Sequence, residues 1–143
     1  MPSPPSKTKT PECPRCKLPL RRVSYEGVAT DMCESCWGFF LEKGELEEIL
    51  DKKDIHFTAA EKDRILDMRT ASKFGPSQPA PCPKCGHVME RIHCDTEVHL
   101  LIDKCPDDGI WLDTGEIKKV QALAERSQSL HQLLLKKLGL LKN

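Results

Sequence analysis

Cysteines recur in this chain as close pairs, and the pairs are duplicated. Cys13-Pro-Arg-Cys16 is followed by Cys33-Glu-Ser-Cys36, and further along Cys82-Pro-Lys-Cys85 is followed by Cys105-Pro-Asp-Asp108. A Cys-x2-Cys turn presents two thiolates on one side of a tight loop, a knuckle. Two knuckles facing each other make the tetrahedral sulfur cage that Zn²⁺ prefers. The first set, Cys13, Cys16, Cys33 and Cys36, is complete. The second holds Cys82, Cys85 and Cys105, with the carboxylate of Asp108 where a fourth thiolate would stand. A carboxylate oxygen is an acceptable zinc ligand. Cys94, His87, His93 and His99 compete for that corner. His87 follows its knuckle closely enough to reach round, whereas Cys94 would have to be brought back from a hairpin. Two zinc ions are expected, with iron–sulfur chemistry as the minor alternative for four thiolates.

With 143 residues and aromatics at 5%, the chain has room for one ordinary domain or two very small ones. The polar composition argues against a single large core. Units of ~30–40 residues generally need metal or disulfides to fold. The Cys-x2-Cys spacing favours metal in a reducing compartment over a secreted disulfide scaffold. Residues 1–9 carry no apolar segment of the secretory kind, and no stretch approaches the ~18 apolar residues of a membrane span. The expected location is cytoplasmic. Lys+Arg and Asp+Glu both number 22, so there is no overall basic footprint for nucleic acid. Acidic residues outnumber basic ones over 77–113, and the reverse holds over 114–143.

Residues 1–11 have the composition of a disordered arm. Residues 12–41 predict a first ribbon, with strand, Glu26-Gly27 turn and strand between the knuckles and the apolar Gly38-Phe39-Phe40-Leu41 packing behind the metal. Residues 42–73 predict a helical connector. Leu46, Ile49 and Leu50 have helix spacing, and Thr58-Ala-Ala-Glu61 is a capping box opening a second helix to about Ser72, with Ala60, Ile65, Leu66 and Met68 as its stripe. Residues 74–81 read as a Pro-rich linker, 82–113 as a second ribbon, and 114–143 as one long C-terminal helix.

The repeat extends beyond the cysteines. Arg21-Arg22-Val23 aligns with Glu90-Arg91-Ile92, Thr30-Asp-Met-Cys33 with Ile102-Asp-Lys-Cys105, and Gly38-Phe-Phe-Leu-Glu-Lys-Gly-Glu-Leu46 with Gly109-Ile-Trp-Leu-Asp-Thr-Gly-Glu-Ile117. A Cys-Pro-x-Cys knuckle, a second knuckle, then Gly-x-[Trp/Phe]-Leu-[Asp/Glu]-x-Gly-Glu-[Leu/Ile] resembles the bacterial TFIIB-type zinc-finger family, here in two tandem copies. The resemblance implies a small metal-stabilised α+β fold: two zinc ribbons, each a three-stranded antiparallel sheet with zinc knuckles, each followed by an α-helix. It implies zinc strongly and a role in transcription only weakly. Members often place His at the position of Asp108.

Enzyme function is not expected. Three thiolates and a displaceable carboxylate formally suit catalytic zinc, but the chain has little mass from which to build a cavity and lacks the His-x-Glu…Pro-Cys-x2-Cys layout of zinc deaminases. Cys94 is either a redox-sensitive thiol beside the second centre or a spare hairpin cysteine. Trp111 reads as core. Trp37 reads as part-exposed, able to stack a base or anchor a protein. Leu130, Leu134, Leu138 and Leu141 form a stripe that folds back on the chain, pairs with itself or a partner or, with Lys136, Lys137 and Lys142 alongside, lies on a membrane surface. The reading expected is a non-enzymatic zinc-binding adaptor or assembly module whose protein partner docks through the C-terminal helix. A regulator binding nucleic acid or the transcription machinery through Arg21, Arg22 and the basic tail is the alternative.

Overall fold

A computed structural model describes residues 11–51, 57–67, 78–95, 100–113, 115–126 and 128–139. The arm over residues 1–10, the first half of the expected linker (74–77), Met68, Ser72, His99 and Leu141 lie outside the described residues. So do the side chains of His93, Cys94 and Leu130.

The hairpin between the first two knuckles forms where the sequence predicts it. Strands β1 (Arg21–Tyr25) and β2 (Val28–Met32) pair antiparallel with Tyr25 opposite Val28. Glu26 and Gly27, both at positive φ (53° and 79°), form the two-residue turn. Positive φ at both central positions gives a turn whose twist matches that of the strands. Strand β3 (Phe39–Glu42) then adds beside β2. The second half repeats this order with β4 (Glu90–Asp95), β5 (Leu100–Cys105) and β6 (Gly109–Leu112).

The halves do not stay apart. β3 pairs antiparallel with β6, so six strands form one sheet in the order β1-β2-β3-β6-β5-β4. Phe40 lies opposite Trp111, its own counterpart in the repeat, while Phe39 faces Leu112 and Leu41 faces Ile110. The joint is therefore an internal pseudo-two-fold, the isologous geometry of a symmetric dimer built within one chain. This corrects the expectation of two units with separate small cores. In a lone ribbon the third strand would present an unpaired edge. Phe39-Phe40-Leu41 and Ile110-Trp111-Leu112 are apolar on both faces, as central strands are, and each closes the other's edge.

Side chains alternate across the joined strands. Phe39, Leu41, Ile110 and Leu112 face a layer of helices, in a core with Val28, Leu100 and Ile102. Phe40 and Trp111 face the other way, among the cysteines. The helix layer begins with the short α1 (Glu45–Leu50), entered through Gly44 at φ 89°, whose Leu46, Ile49 and Leu50 are buried. α2 (Ala59–Asp67) carries the expected capping box: the Thr58 N–H donates to Glu61 Oε1 (2.9 Å) and the Glu61 N–H donates to Thr58 Oγ1 (3.1 Å). Leu66 is buried and Ala60 is exposed.

The C-terminal segment differs from the single long helix expected. It forms α3 (Glu116–Arg126) and α4 (Gln128–Lys137), and α4 packs against α3 and β4. Gly139, at φ 71°, follows α4 and donates its N–H to Lys136 O (3.0 Å), the left-handed conformation in which glycine commonly ends a helix. Leu134 and Leu138 are 1% and 0% exposed, inside the helix-side core. Leu134 and Leu138 therefore follow the fold-back alternative for the stripe and do not face a partner. Burying each of these side chains contributes about 1.5–3 kcal/mol, which one extended helix would forgo. Leu133, 43% exposed, stays on the outside.

Candidate metal centres

Three of the four knuckles share one local design. In the first, the Cys13 N–H donates to Leu18 O (2.7 Å) and the Lys17 N–H to Cys13 O (2.8 Å). Cys33 with Gly38 and Trp37 repeats this at 2.9 and 2.8 Å, and Cys82 with His87 and Gly86 repeats it at 2.7 and 2.9 Å. The residue after each second ligand adopts positive φ: Lys17 (63°), Trp37 (62°) and Gly86 (81°). Glycine takes this conformation freely, whereas for a tryptophan it is an outlier. The loop also aims backbone donors at sulfur. Cys13 Sγ accepts from Arg15 N–H (3.3 Å) and Cys16 N–H (3.2 Å), and Cys82 Sγ accepts from Lys84 N–H (3.4 Å). The fourth knuckle is tighter: Cys105 pairs directly with Gly109, one residue sooner than in the first half.

The donors converge as two clusters, Cys13 with Cys16, Cys33 and Cys36, and Cys82 with Cys85, Cys105 and Asp108. In each, the ligand atoms lie within 4.8 Å of one another. A tetrahedron with zinc–sulfur bonds of ~2.3 Å has an S···S edge of about 3.8 Å, and a mixed edge to a carboxylate oxygen of about 3.5 Å. The Sγ atoms of Cys13 and Cys36 are 3.7 Å apart, as are those of Cys85 and Cys105. Asp108 Oδ2 lies 3.3 Å from Cys82 Sγ and 3.6 Å from Cys105 Sγ. Donor type and spacing in both clusters fit Zn²⁺. Among the rival ligands, His87 is exposed and is not part of the convergent set.

The thiols are electrostatically coupled. Hydrogen bonding from Cys36, helped by the Cys16 and Arg15 amides and opposed by burial, holds Cys13 down to about 5, while the same contact and burial push Cys36 up. Burial tends to raise the Asp108 carboxyl, but hydrogen bonds from the Cys82, Cys85 and Cys105 thiols outweigh it and leave Asp108 below its usual range. Zinc binding must therefore release thiol protons.

Between the centres lies a polar network that sequence reasoning missed. The Arg15 guanidinium donates to both carboxylate oxygens of Asp113 (3.0 Å each), to Asp103 Oδ2 (3.3 Å) and to Gln78 O (2.7 Å). Arg91 Nε donates to Asp103 Oδ1 (3.0 Å), Trp111 Nε1 donates to Asp113 Oδ1 (2.8 Å), and the Asp113 N–H donates to Glu116 Oε1 (2.8 Å). Burial, with the charges of Asp113 and Asp103 behind it, pushes Glu116 up to about 8. A signal was present: both Cys-Pro-x-Cys knuckles carry a cation at the third position, Arg15 and Lys84, and the first half holds the matching set Arg22, Asp31, Glu42 and Glu45.

Outside the metal clusters, Trp37 is 59% and Leu18 49% exposed, both on knuckles of the first centre, while Trp111 is fully buried. Arg21 and Arg22 are engaged in ion pairs, Arg21 with Glu34 (3.0 Å) and Arg22 with Asp31 (3.1 Å) and Glu45 (3.4 Å).

An antiparallel sheet carrying two four-donor clusters on one face and helices on the other defines a small zinc-binding α+β protein. Residues 12–52, which contain the first cluster, match the TFIIB-type zinc-ribbon family described as transcription factor zinc-finger. That match stops short of the second cluster, which rests on its own donors and on the repeated strand order. Neither a search of curated proteins nor one of solved structures finds a match.

Proposed function

We propose that this protein is a non-enzymatic, cytoplasmic zinc-binding adaptor that recognises a protein partner through the knuckle face of its first half. Cys13, Cys16, Cys33 and Cys36 bind one ion, and Cys82, Cys85, Cys105 and Asp108 the other. Both ions are structural, their binding energy being largely folding energy. The observation that carries the adaptor reading is Trp37, a large aromatic residue held exposed at φ 62° directly after ligand Cys36. The positive φ belongs to the knuckle turn, as at Lys17 and Gly86, and it is the exposed tryptophan placed there that suits an anchor residue. Leu18 adds exposed apolar surface on the facing knuckle.

The alternative, nucleic acid or transcription machinery, draws support from the family matched over residues 12–52. Its basic doublet, however, is already paired with acidic side chains of the same chain, and phosphate contacts depend on available cations. No helix among the described residues is long and apolar enough to cross a membrane.

Affinity purification of the tagged chain, with and without nuclease and across a salt series, tests the reading. We expect a discrete protein partner that resists nuclease, tolerates salt and is lost in W37A. Nuclease-sensitive capture with a steep salt dependence would overturn the adaptor reading in favour of nucleic acid.

A further inference from the structure

We propose that the two metal centres are energetically coupled through Arg15 and Asp103, so that metal at the four-thiolate centre tightens binding at the three-thiolate–aspartate centre. The inference rests on the ligand assignment above.

Arg15 sits inside the first knuckle, between ligands Cys13 and Cys16, and its own N–H donates to Cys13 Sγ. Metal at the first centre therefore fixes the Arg15 backbone. Its side chain is largely buried and crosses the joint to Asp103 and Asp113. Asp103, 2% exposed as a side chain, stands two residues before ligand Cys105. Its Oδ2 also accepts the N–H of Ala80 (3.0 Å), two residues before ligand Cys82. One carboxylate thus holds the approach to both knuckles of the second centre, and a guanidinium from the first knuckle holds that carboxylate.

The reverse connection exists too. Lys84, between ligands Cys82 and Cys85, donates its N–H to Cys82 Sγ and pairs its ammonium with Glu42 of the first half. The apolar packing is shared in the same way. Cys13, Cys33, Cys36, Cys82 and Cys105 belong to a single buried cluster built around Phe40 and Trp111. Gly38, two residues after ligand Cys36, lies so close to the Trp111 ring that a Cβ would clash with it. Gly109, next to ligand Asp108, lies equally close to the Leu41 carbonyl. Neither knuckle layer can loosen without disturbing the other half. Such coupling is reciprocal and typically amounts to about 5–150-fold in affinity.

The test uses the full chain and Co²⁺, whose thiolate charge-transfer bands differ between four-sulfur and three-sulfur coordination, with Zn²⁺ competition for affinities. Second-centre affinity is measured with the first centre intact and with it disabled by C33S/C36S, each in the natural Arg15 background and in R15M, which keeps every metal donor. Circular dichroism checks that the helices persist. We expect the disabled first centre to weaken the second by at least about five-fold with Arg15 present, and by much less in R15M. Equal second-centre affinities with and without the first centre would overturn the coupling. A loss of the same size in R15M would overturn its route through Arg15. A stoichiometry of one ion per chain would overturn the ligand assignment itself, and the coupling with it.

Discussion

Trp111 holds the two halves together, and replacing it is the most direct test of the shared fold. The indole is fully buried, lies opposite Phe40 on the pseudo-two-fold, has Gly38 against its ring and donates to Asp113. Trp111→Ala removes the ring from a closed site whose walls are strands and knuckles, which leaves little room for collapse. Large aromatic-to-alanine changes in such cores cost about 3–5 kcal/mol, and loss of the indole hydrogen bond adds about 1 kcal/mol. Against a total of roughly 5–15 kcal/mol for a natural domain, W111A should lose a third or more of its stability. Trp111→Phe keeps most of the apolar area and should lose about 1–2 kcal/mol. The assay is urea denaturation followed by far-UV circular dichroism, at a fixed buffered concentration of free zinc because bound metal adds its own stabilisation. A W111A loss below about 1 kcal/mol, or one no larger than that of W111F, would refute the reasoning that this ring closes the joint.

Four other outcomes follow from the same structure. Gly109→Ala places a methyl group against the Leu41 carbonyl, at φ 154°; it should cost several kcal/mol by prising β3 from β6, seen as a lowered urea midpoint, and a midpoint equal to the parent's would exclude that clash. Leu134→Ala should cost about 2–5 kcal/mol while Leu133→Ala, on the exposed side, changes stability by less than about 0.5 kcal/mol; the reverse order in thermal melts would restore the leucine stripe as a docking surface. A strong chelator should abolish cooperative sheet unfolding while leaving part of the helical signal, and an unchanged melt would contradict structural zinc. Because Glu116 is pushed up to about 8 from an unfolded value near ~4.3, the folded state binds the extra proton between those values. Its contribution therefore favours folding at low pH and is lost as pH rises towards 8, with a slope of at most about 1.4 kcal/mol per pH unit. Glu116→Gln should flatten stability measured from pH 6.5 to 9 at saturating zinc, and an unchanged slope would assign the pH dependence to other groups.

Local features were legible because they are set by neighbours in the chain. The Cys-x2-Cys pairs, the Glu26-Gly27 turn, the Thr58–Glu61 box and the exposed and buried tryptophans follow from spacing and turn chemistry. What stayed hidden depends on contacts between distant residues. The alignment of Phe40 with Trp111 was visible, yet nothing local says that equivalent strands will pair with each other. A stripe of leucines reads the same whether it meets a partner, a membrane or the chain's own sheet. Proline-free continuity from Gly115 to Leu141 suggested one helix, but it does not register the gain from folding Leu134 and Leu138 back into the core. The Arg15 network was hidden because each of its charges, taken singly, resembles an ordinary solvated residue.

The duplication explains why the two halves could diverge where they did. Pairing β3 with β6 removes the free edge each ribbon would have alone and surrounds both centres with one apolar cluster. That shared support braces the second centre from the first half, in addition to its own four ligands. A carboxylate at Asp108 then becomes tolerable, and the following connection can shorten to the direct Cys105–Gly109 pairing. The position occupied by Trp37 in the first half has no counterpart there. The half that keeps four thiolates is also the half that exposes a strained tryptophan beside its metal. The half that gives up a thiolate supplies instead the buried tryptophan and most of the carboxylates on which the joint depends.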